Sequence, residues 1–522
     1  MSQDSDNVKL GFNPNNKRCV HVDTGIRLFN DGTTMFCCQS NEQLTTKDGV
    51  IGNIQEHTIQ EIREGKKAKE IKQALEDGFE HPNCSKCWNE EASGMKSKRL
   101  RDNQENPDLI DSVELKNMEI NLGNICNMRC RTCGPWSSSL WGQEYYQQMH
   151  TFRGPRDELI PTMEKKVYNK WLGQFSKSYN DDSKVWEELD KYWSELKNID
   201  IYGGEPFLVE KQWQALKKNV DSGVSKKQNL HFNTNGTVYD PSKIEIMKGF
   251  KTCKISFSID GKEEQYEYIR NPGKWQQTKA NLLQHVKIAN QTPGWDVIVC
   301  ITISFLNVYY LPELLEEFMD MNVYAYVNFV HEPAFYKIQN LRPDLKEAVK
   351  EKYQNSKIWN PTSDDKKIHA DKYSNGVTSY ESSKANLIQV INFMEIKKWN
   401  PSSFKEFVYM VAKGDEYRKE SFKDTFPEWW DLIYNDPNTE DLDDKFRTYR
   451  SHDTDHPVQT KNMDIENLYD KIEHKKYNNY RPGDPTAVPD YYTIKKDKAK
   501  WFANSEKMLK EGANIYPEDE EV

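Results

Sequence analysis

A chain of 522 residues has room for two to four domains, but only 36% of it is hydrophobic, so aromatic side chains (14 Trp, 27 Tyr) must supply much of the core. The net charge of −10 argues against a protein held to nucleic acid by neutralising phosphates. The opening MSQDSDNVKLGF has neither a basic nor an apolar leader segment, and no apolar run is long enough to span a bilayer, which predicts a cytoplasmic protein with no membrane partner. Thiols stay reduced there, yet eight of the ten cysteines fall within the first 133 residues. Such crowding reads as metal ligation rather than disulfide bonding.

Residues 1–100 form a predicted cysteine-rich α+β domain. VDTGIRLFNDGTTMFCC reads as a hairpin turning at Asn30-Asp31-Gly32 and ending on Cys37 and Cys38. Ile59, Ile62, Ala68, Ile71 and Leu75 recur at helical spacing, and Gly78 supplies a stop. Cys84 and Cys87 follow as C-x2-C. With Cys19 and Cys37 they make a four-thiolate layout that serves zinc and iron–sulfur equally well on spacing alone. Residues 101–115 are polar and read as a linker.

From 116 to 336 strands alternate with helices. The predicted strands are 118–122, 199–202, 230–234, 254–260, 297–305 and 324–330, an α/β pattern of six units that fits a partial (β/α)6 TIM-like barrel better than a complete eight. The strands are apolar on one side only. Ser256, Ser258 and Asp260 alternate with Ile255, Phe257 and Ile259, as His231 and Asn233 do with Leu230 and Phe232, while Thr302 and Ser304 alternate with Ile301 and Ile303. A polar lumen or a solvated sheet face both satisfy this pattern. His231 on that face either serves substrate or is structural. Cys253 and Cys300 read as small core residues.

Turns after these strands carry the chemistry. LGNICNMRCRTCGPW places Cys126, Cys130 and Cys133 as C-x3-C-x2-C on a loop after the first strand. Three thiolates leave one position of a metal centre open, unless a distant His or Cys completes a zinc site. Trp136 and the serines after it read as a helix start and cap. Tyr202-Gly203-Gly204-Glu205-Pro206 ends the second strand, where glycines admit close backbone approach. Asn235-Gly236 follows the third strand and Ser258-Ile259-Asp260-Gly261 the fourth. Arg270 lies beyond, with Glu263, Glu264 and Glu267 available for a surface ion pair. The C-terminal ends of parallel strands are where a barrel builds its site.

Residues 340–522 read as a mostly helical extension, with amphipathic stretches at SSFKEFVYMVAKGDEYRKESF and FPEWWDLIYN and a solvated acidic tail, YPEDEEV. Trp429-Trp430 is most simply core packing, in a region that also has the bulk to shield the barrel mouth.

The three-cysteine loop resembles the signature of the radical S-adenosylmethionine superfamily. The resemblance implies that Cys126, Cys130 and Cys133 hold a catalytic [4Fe–4S] cluster whose fourth iron is chelated by the methionine end of S-adenosylmethionine. It implies one-electron cleavage of the sulfonium C–S bond and release of a 5′-deoxyadenosyl radical, with the protein supplying position and electrostatics. Gly203, Gly204 and Glu205 match the motif that receives the methionine amino group. Asn235 matches the TNG turn, and Ser258 and Arg270 match residues that contact ribose and carboxylate. Thr132 departs from the pattern, which usually has an aromatic residue there.

The N-terminal cysteines resemble twitch or SPASM auxiliary-cluster modules, which usually follow the barrel. N-terminal versions occur in proteins found largely in phages, several sharing a run like Cys133 to Ser139. This implies an auxiliary [4Fe–4S] cluster on Cys19, Cys37, Cys84 and Cys87 with Cys38 as an alternate ligand or spare, zinc remaining the alternative. The implied activity is hydrogen abstraction from a peptide or protein side chain, ahead of small metabolites or nucleotides. A one-electron reductant of flavodoxin or ferredoxin type would serve it, in a host's cytoplasm if the chain is phage-encoded. The rival reading is a non-catalytic zinc- or cluster-stabilised binding protein on the same barrel.

Overall fold

A computed structural model of the chain describes residues 17–434 apart from 93–95, 111, 122, 154–158, 162, 177–182, 371–372, 374–375 and 397–398. The opening segment, Leu122 and everything from 435 onward, including the acidic tail, therefore lie outside the described residues.

The strands are β1 (Gly25–Leu28), β2 (Thr34–Met35), β3 (Asn117–Asn121), a small hairpin of β4 (Thr151–Arg153) and β5 (Leu159–Pro161), β6 (Asn198–Tyr202), β7 (Asn229–Thr234), β8 (Thr252–Ser258), β9 (Trp295–Ile303) and β10 (Ala325–Phe329). Eight of them form one open sheet in the order β10-β9-β8-β7-β6-β3-β1-β2. β3 and β6 to β10 are parallel and adjacent in chain order, the six predicted strands of a partial barrel. Helices such as Glu210–Asp221, Trp275–Ala289 and Leu311–Asp320 make the crossovers.

The two-residue period sets the two faces. Met118, Ile120, Ile199, Ile201, Leu230, Phe232, Ile255 and Phe257 are buried in one continuous core. On the other face Asn117, Asn198, Asn229 and Thr252 join side chain to side chain across four strands, at 2.6, 2.8 and 2.8 Å. That face is half-buried at Asp200, His231 and Asn233 but fully buried at Ser256, Asp260 and Ser304.

The cysteine-rich segment continues this sheet. β1 pairs with β3 in parallel, from Gly25 opposite Asn117 to Leu28 opposite Ile120. β2 returns antiparallel through the predicted turn, where Gly32 sits at φ +91°.

Two expectations are corrected here. The periodic stretch from Ile59 is two helices, Ile59–Arg63 and Lys66–Glu76, rather than one. Its apolar residues are all buried, but the chain turns at Gly65, where any Cβ would come 1.6 Å from the Thr45 carbonyl oxygen. The predicted stop holds: Gly78 is at φ +83° and the Phe79 amide donates back to the Ala74 carbonyl.

The polar stretch from 101 is no linker at its start, because Lys98–Glu105 is a helix with Arg99, Asp102 and Asn103 buried. The Asn103 carboxamide accepts from the Val20 amide and donates to the Arg18 carbonyl, 2.9 and 2.8 Å. Asp102 pairs with Lys98 at 2.9 Å and with His21 at 2.6 Å. Burial opposes ionisation of Asp102, but Lys98, His21 and Arg101 hold its carboxyl well below the usual range. A depressed carboxylate stabilises the fold above its unfolded pKa of about 3.9 and loses that contribution as pH falls through the folded value. The stability gap between the native chain and Asp102→Asn is therefore expected to close below about pH 4. Denaturant titrations of the metal-free chain at a series of pH values check this, and a constant gap would contradict it.

The predicted C-terminal helices are present as Pro343–Gln354, Ser363–Ile368, Ser379–Glu395, Pro401–Arg418, Phe422–Thr425 and Pro427–Tyr434. Trp429 is core, as expected: it is fully buried, its indole donates to the Phe305 carbonyl at 2.8 Å and its ring stacks on Tyr309.

Candidate active site

The cysteine loop leaves the C-terminal end of β3 and is pinned from two sides. The Arg129 and Arg131 amides donate to the carbonyls of Asn271 and Ile269, 2.7 and 2.8 Å. From the other side the Ser138 hydroxyl donates to the Met128 carbonyl, and the Trp141 indole donates to that of Cys130 at 3.0 Å. Ser138 also caps the short turn Ser139–Trp141, as predicted, and Trp136 meets Tyr145 edge-on. Cys126, Cys130 and Cys133 are free thiols, each half-buried.

Burial raises all three thiols above their ordinary pKa, Cys126 to about 12, and the negative charges of Cys126 and Cys130 add to the effect on Cys133.

The glycine turn after β6 is fitted against this loop. Gly203 and Gly204 lie at φ +79° and +52°. A Cβ on Gly203 would come 1.7 Å from Asn121 Oδ1, and one on Gly204 2.3 Å from the Ile125 carbonyl oxygen. The Glu205 amide donates to that same Ile125 carbonyl at 2.8 Å. The Glu205 carboxylate is fully buried and accepts from the Thr234 hydroxyl, the Asn235 amide and the Phe207 amide, at 2.7, 2.7 and 3.1 Å. It ties the end of β6 to the end of β7, while Gly203 and Gly204 are half-buried. Asn235 donates to Asn127 Oδ1 at 2.8 Å and to the Cys126 sulfur at 3.8 Å.

Ser258 ends β8, half-buried. Arg270 is buried and pairs with Asp260 through Nε and Nη2, at 2.8 and 2.7 Å, so it is no surface ion pair with the neighbouring glutamates. Its remaining amino group reaches the Cys130 sulfur at 3.9 Å, while the Thr302 amide donates to Asp260 Oδ1 at 2.7 Å. The aspartate of the S-x-DG element thus orients the arginine, a partnership the motif contained and the sequence reading did not draw.

Two buried ionic groups beside the loop had no local signal. Arg131 meets Asp415 and Glu420 at 2.6 and 2.7 Å and lies over the Tyr268 ring. Arg418 meets Glu144 at 2.7 Å, and its guanidinium also donates to the Arg129 carbonyl at 2.7 Å. Their partners are 284 and 274 residues apart in the chain.

His231 is held by both ring nitrogens, to Asp200 Oδ1 and Ser256 Oγ, each 2.9 Å, which ties it into the sheet face. Cys253 and Cys300 are buried in β8 and β9, as expected of core residues.

At the N-terminal side, Cys19 opens the helix Val20–Thr24, Cys84 ends the turn Pro82–Cys84, and Cys87 lies in the helix Ser85–Ala92. Burial and then the charges of Cys37, Cys84 and Cys87 raise the Cys19 thiol, so these four sulfurs share one neighbourhood. After burial, Cys37 and Cys38 both answer first to Glu119 and Lys98 on the sheet side. Among the described residues no three His, Cys, Asp or Glu side chains form a site for a single metal ion.

The structure is thus an open α/β sheet of mostly parallel strands with three free thiols at the C-terminal ends of those strands and a second thiol group on its flank. Residues 120–318 match the radical SAM superfamily, and residues 19–88 match SPASM, an iron–sulfur cluster-binding domain. The chain carries a radical SAM domain preceded by a SPASM-type domain, and its cofactors are a [4Fe–4S] cluster, S-adenosylmethionine and an auxiliary iron–sulfur cluster.

Among solved structures it is similar to anSMEcpe with bound AdoMet, at 14% identity and TM-score 0.29 over 45% of this chain and 60% of that one. The chain thus spans less than two thirds of that protein. It is also similar to SuiB of Streptococcus suis, at 12% identity and TM-score 0.29 over 65% and 69% of the two chains. A third likeness is to TsrM, a radical S-adenosylmethionine methyltransferase of Kitasatospora setae, at 9% identity and TM-score 0.28 over 64% and 60%. No curated protein matches. No helix among the described residues is long and apolar enough to cross a membrane.

Proposed function

We propose that the chain is an enzyme that cleaves S-adenosylmethionine reductively at the three-cysteine loop and abstracts hydrogen from a substrate on the polar side of the sheet. The observation that carries this reading is the contact of the cysteine loop with the Gly203–Gly204 turn, through Ile125, and with the Asp260-held Arg270, through Cys130, at one end of the strands. When bound, the cluster and its cofactor supply a 5′-deoxyadenosyl radical by one-electron reduction. Cys126, Cys130 and Cys133 are the ligands, with Asn235 donating to Cys126 and Arg270 to Cys130.

The bare backbone of Gly203 and Gly204 accepts from the methionine ammonium, and Glu205 holds that turn in place. Arg270 takes the carboxylate, fixed for it by Asp260, and Ser258 at the end of β8 takes the ribose. Cys19, Cys37, Cys84 and Cys87 hold the auxiliary cluster, and a flavodoxin- or ferredoxin-type protein supplies electrons. The substrate class is a peptide or protein side chain, in keeping with the S-x-DG and arginine elements that resemble those of peptide-modifying members.

The test is 5′-deoxyadenosine and methionine formation by the reconstituted, reduced chain, with and without candidate peptides. No cleavage by a chain whose cluster is intact would replace this reading by the non-catalytic binding protein.

Gly204→Ala is a sharper check on the turn. A left-handed φ costs a residue with Cβ about 1–2 kcal/mol, before the clash with Ile125. Affinity for S-adenosylmethionine, measured by equilibrium dialysis, is expected to fall at least tenfold, which corresponds to about 1.4 kcal/mol. Unchanged affinity would remove the turn from the cofactor site.

A further inference from the structure

The helix Pro401–Arg418 lies outside the residues matched to the radical SAM superfamily, yet its last side chain reaches the cysteine loop. Arg418 has no exposed side-chain surface, and its partner Glu144 has 1%. One amino group donates to the carbonyl of Arg129, the residue before Cys130. The guanidinium lies 5.0 Å over the Trp141 ring, and the Trp141 indole in turn donates to the Cys130 carbonyl. The other Glu144 oxygen faces Arg129 at 3.4 Å. The remaining amino group, Nη1, is buried without a hydrogen-bond acceptor. An unmet buried donor is costly, and this one belongs to a cation placed beside a thiol loop.

We propose that Arg418 is a positioning residue for the three-cysteine centre: it clamps the backbone ahead of Cys130 and supplies positive charge that makes the centre easier to reduce. This rests on the reading of Cys126, Cys130 and Cys133 as cluster ligands. Adding an electron to a buried cluster adds negative charge, and nearby charge and hydrogen bonding set its potential. Glu144 offsets part of that positive charge while holding the guanidinium at 2.7 Å. The C-terminal extension thereby becomes part of the redox centre.

The experiment is an electron paramagnetic resonance redox titration of the full-length reconstituted chain, following the signal that changes when S-adenosylmethionine is added. Arg418→Gln is expected to keep its iron and shift that midpoint to more negative values, on the order of tenfold in the reduction equilibrium, or about 59 mV for one electron. Glu144→Gln, which leaves the arginine uncompensated, is expected to shift it the other way. Arg418→Lys, which keeps the charge, is expected to stay near the native value.

Unmoved midpoints in Arg418→Gln and Glu144→Gln, or shifts of the same sign, would overturn the proposal. If Arg418→Gln fails to fold, the sign of the Glu144→Gln shift against an unshifted Arg418→Lys decides. A native chain with no signal responsive to S-adenosylmethionine would instead overturn the reading of the loop, a separate result.

Discussion

Cys130→Ala is expected to abolish 5′-deoxyadenosine formation and to lower iron from about eight to about four per chain while the fold persists. Cys130 sits at the centre of its loop: Trp141 holds its carbonyl and Arg270 reaches its sulfur. Its removal leaves two thiols on this side, too few for a cluster that must also keep a position open. The four N-terminal sulfurs form a separate group, so their iron is expected to remain. Cys19→Ala supplies the contrast, with iron again near four but S-adenosylmethionine cleavage retained. Iron analysis with chromatography of the products separates the two. Undiminished cleavage by Cys130→Ala would sink the assignment of the centre, and unchanged iron in Cys19→Ala would sink that of the auxiliary site.

Asp260→Leu is expected to be among the most destabilising single changes in the barrel. The Asp260 side chain is fully buried and that of Arg270 is 9% exposed, and they meet at 2.7 Å. Removing one partner of such a pair leaves an uncompensated charge, at a cost of about 3–5 kcal/mol. The Thr302 amide loses its acceptor as well, adding roughly 1 kcal/mol. Arg270→Met should cost less, because burial already pushes the Asp260 carboxyl up and the residue left behind is able to protonate. The double variant Asp260→Leu/Arg270→Met is expected to recover much of the loss. Denaturant midpoints of the metal-free chain give the coupling, and additive single effects would show that the pair does not act as a unit.

Much of the scaffold was legible because it depends on short-range rules. The strands of the barrel follow from apolar residues at every second position, and the core takes the predicted face from Met118 to Phe257. The site motifs were legible as turns, since Gly203 and Gly204 adopt backbone that favours glycine and the strand ends gather them at one edge. The helix break at Gly65 was hidden, because the reason for it is the Thr45 carbonyl, a contact no periodicity records. Polarity misled at 101–105, where a charged residue that looks solvated, Asp102, is buried by a partner on another segment. The bonds that the Glu205 carboxylate accepts from Thr234 and Asn235 were not legible, because they depend on β7 lying beside β6 rather than on the motif.

The sequence by itself determined the α/β order, the two faces of each strand, the thiol-bearing loops and the glycine turns, all of which rest on residue type and spacing over a few positions. Only the tertiary structure decided which charges meet. Asp260 orients Arg270 across a turn, whereas Arg131 and Arg418 find carboxylates more than 270 residues away in the chain. A buried cation is tolerable only beside an anion, and composition carries no information about which of the 82 acidic residues the fold brings within reach.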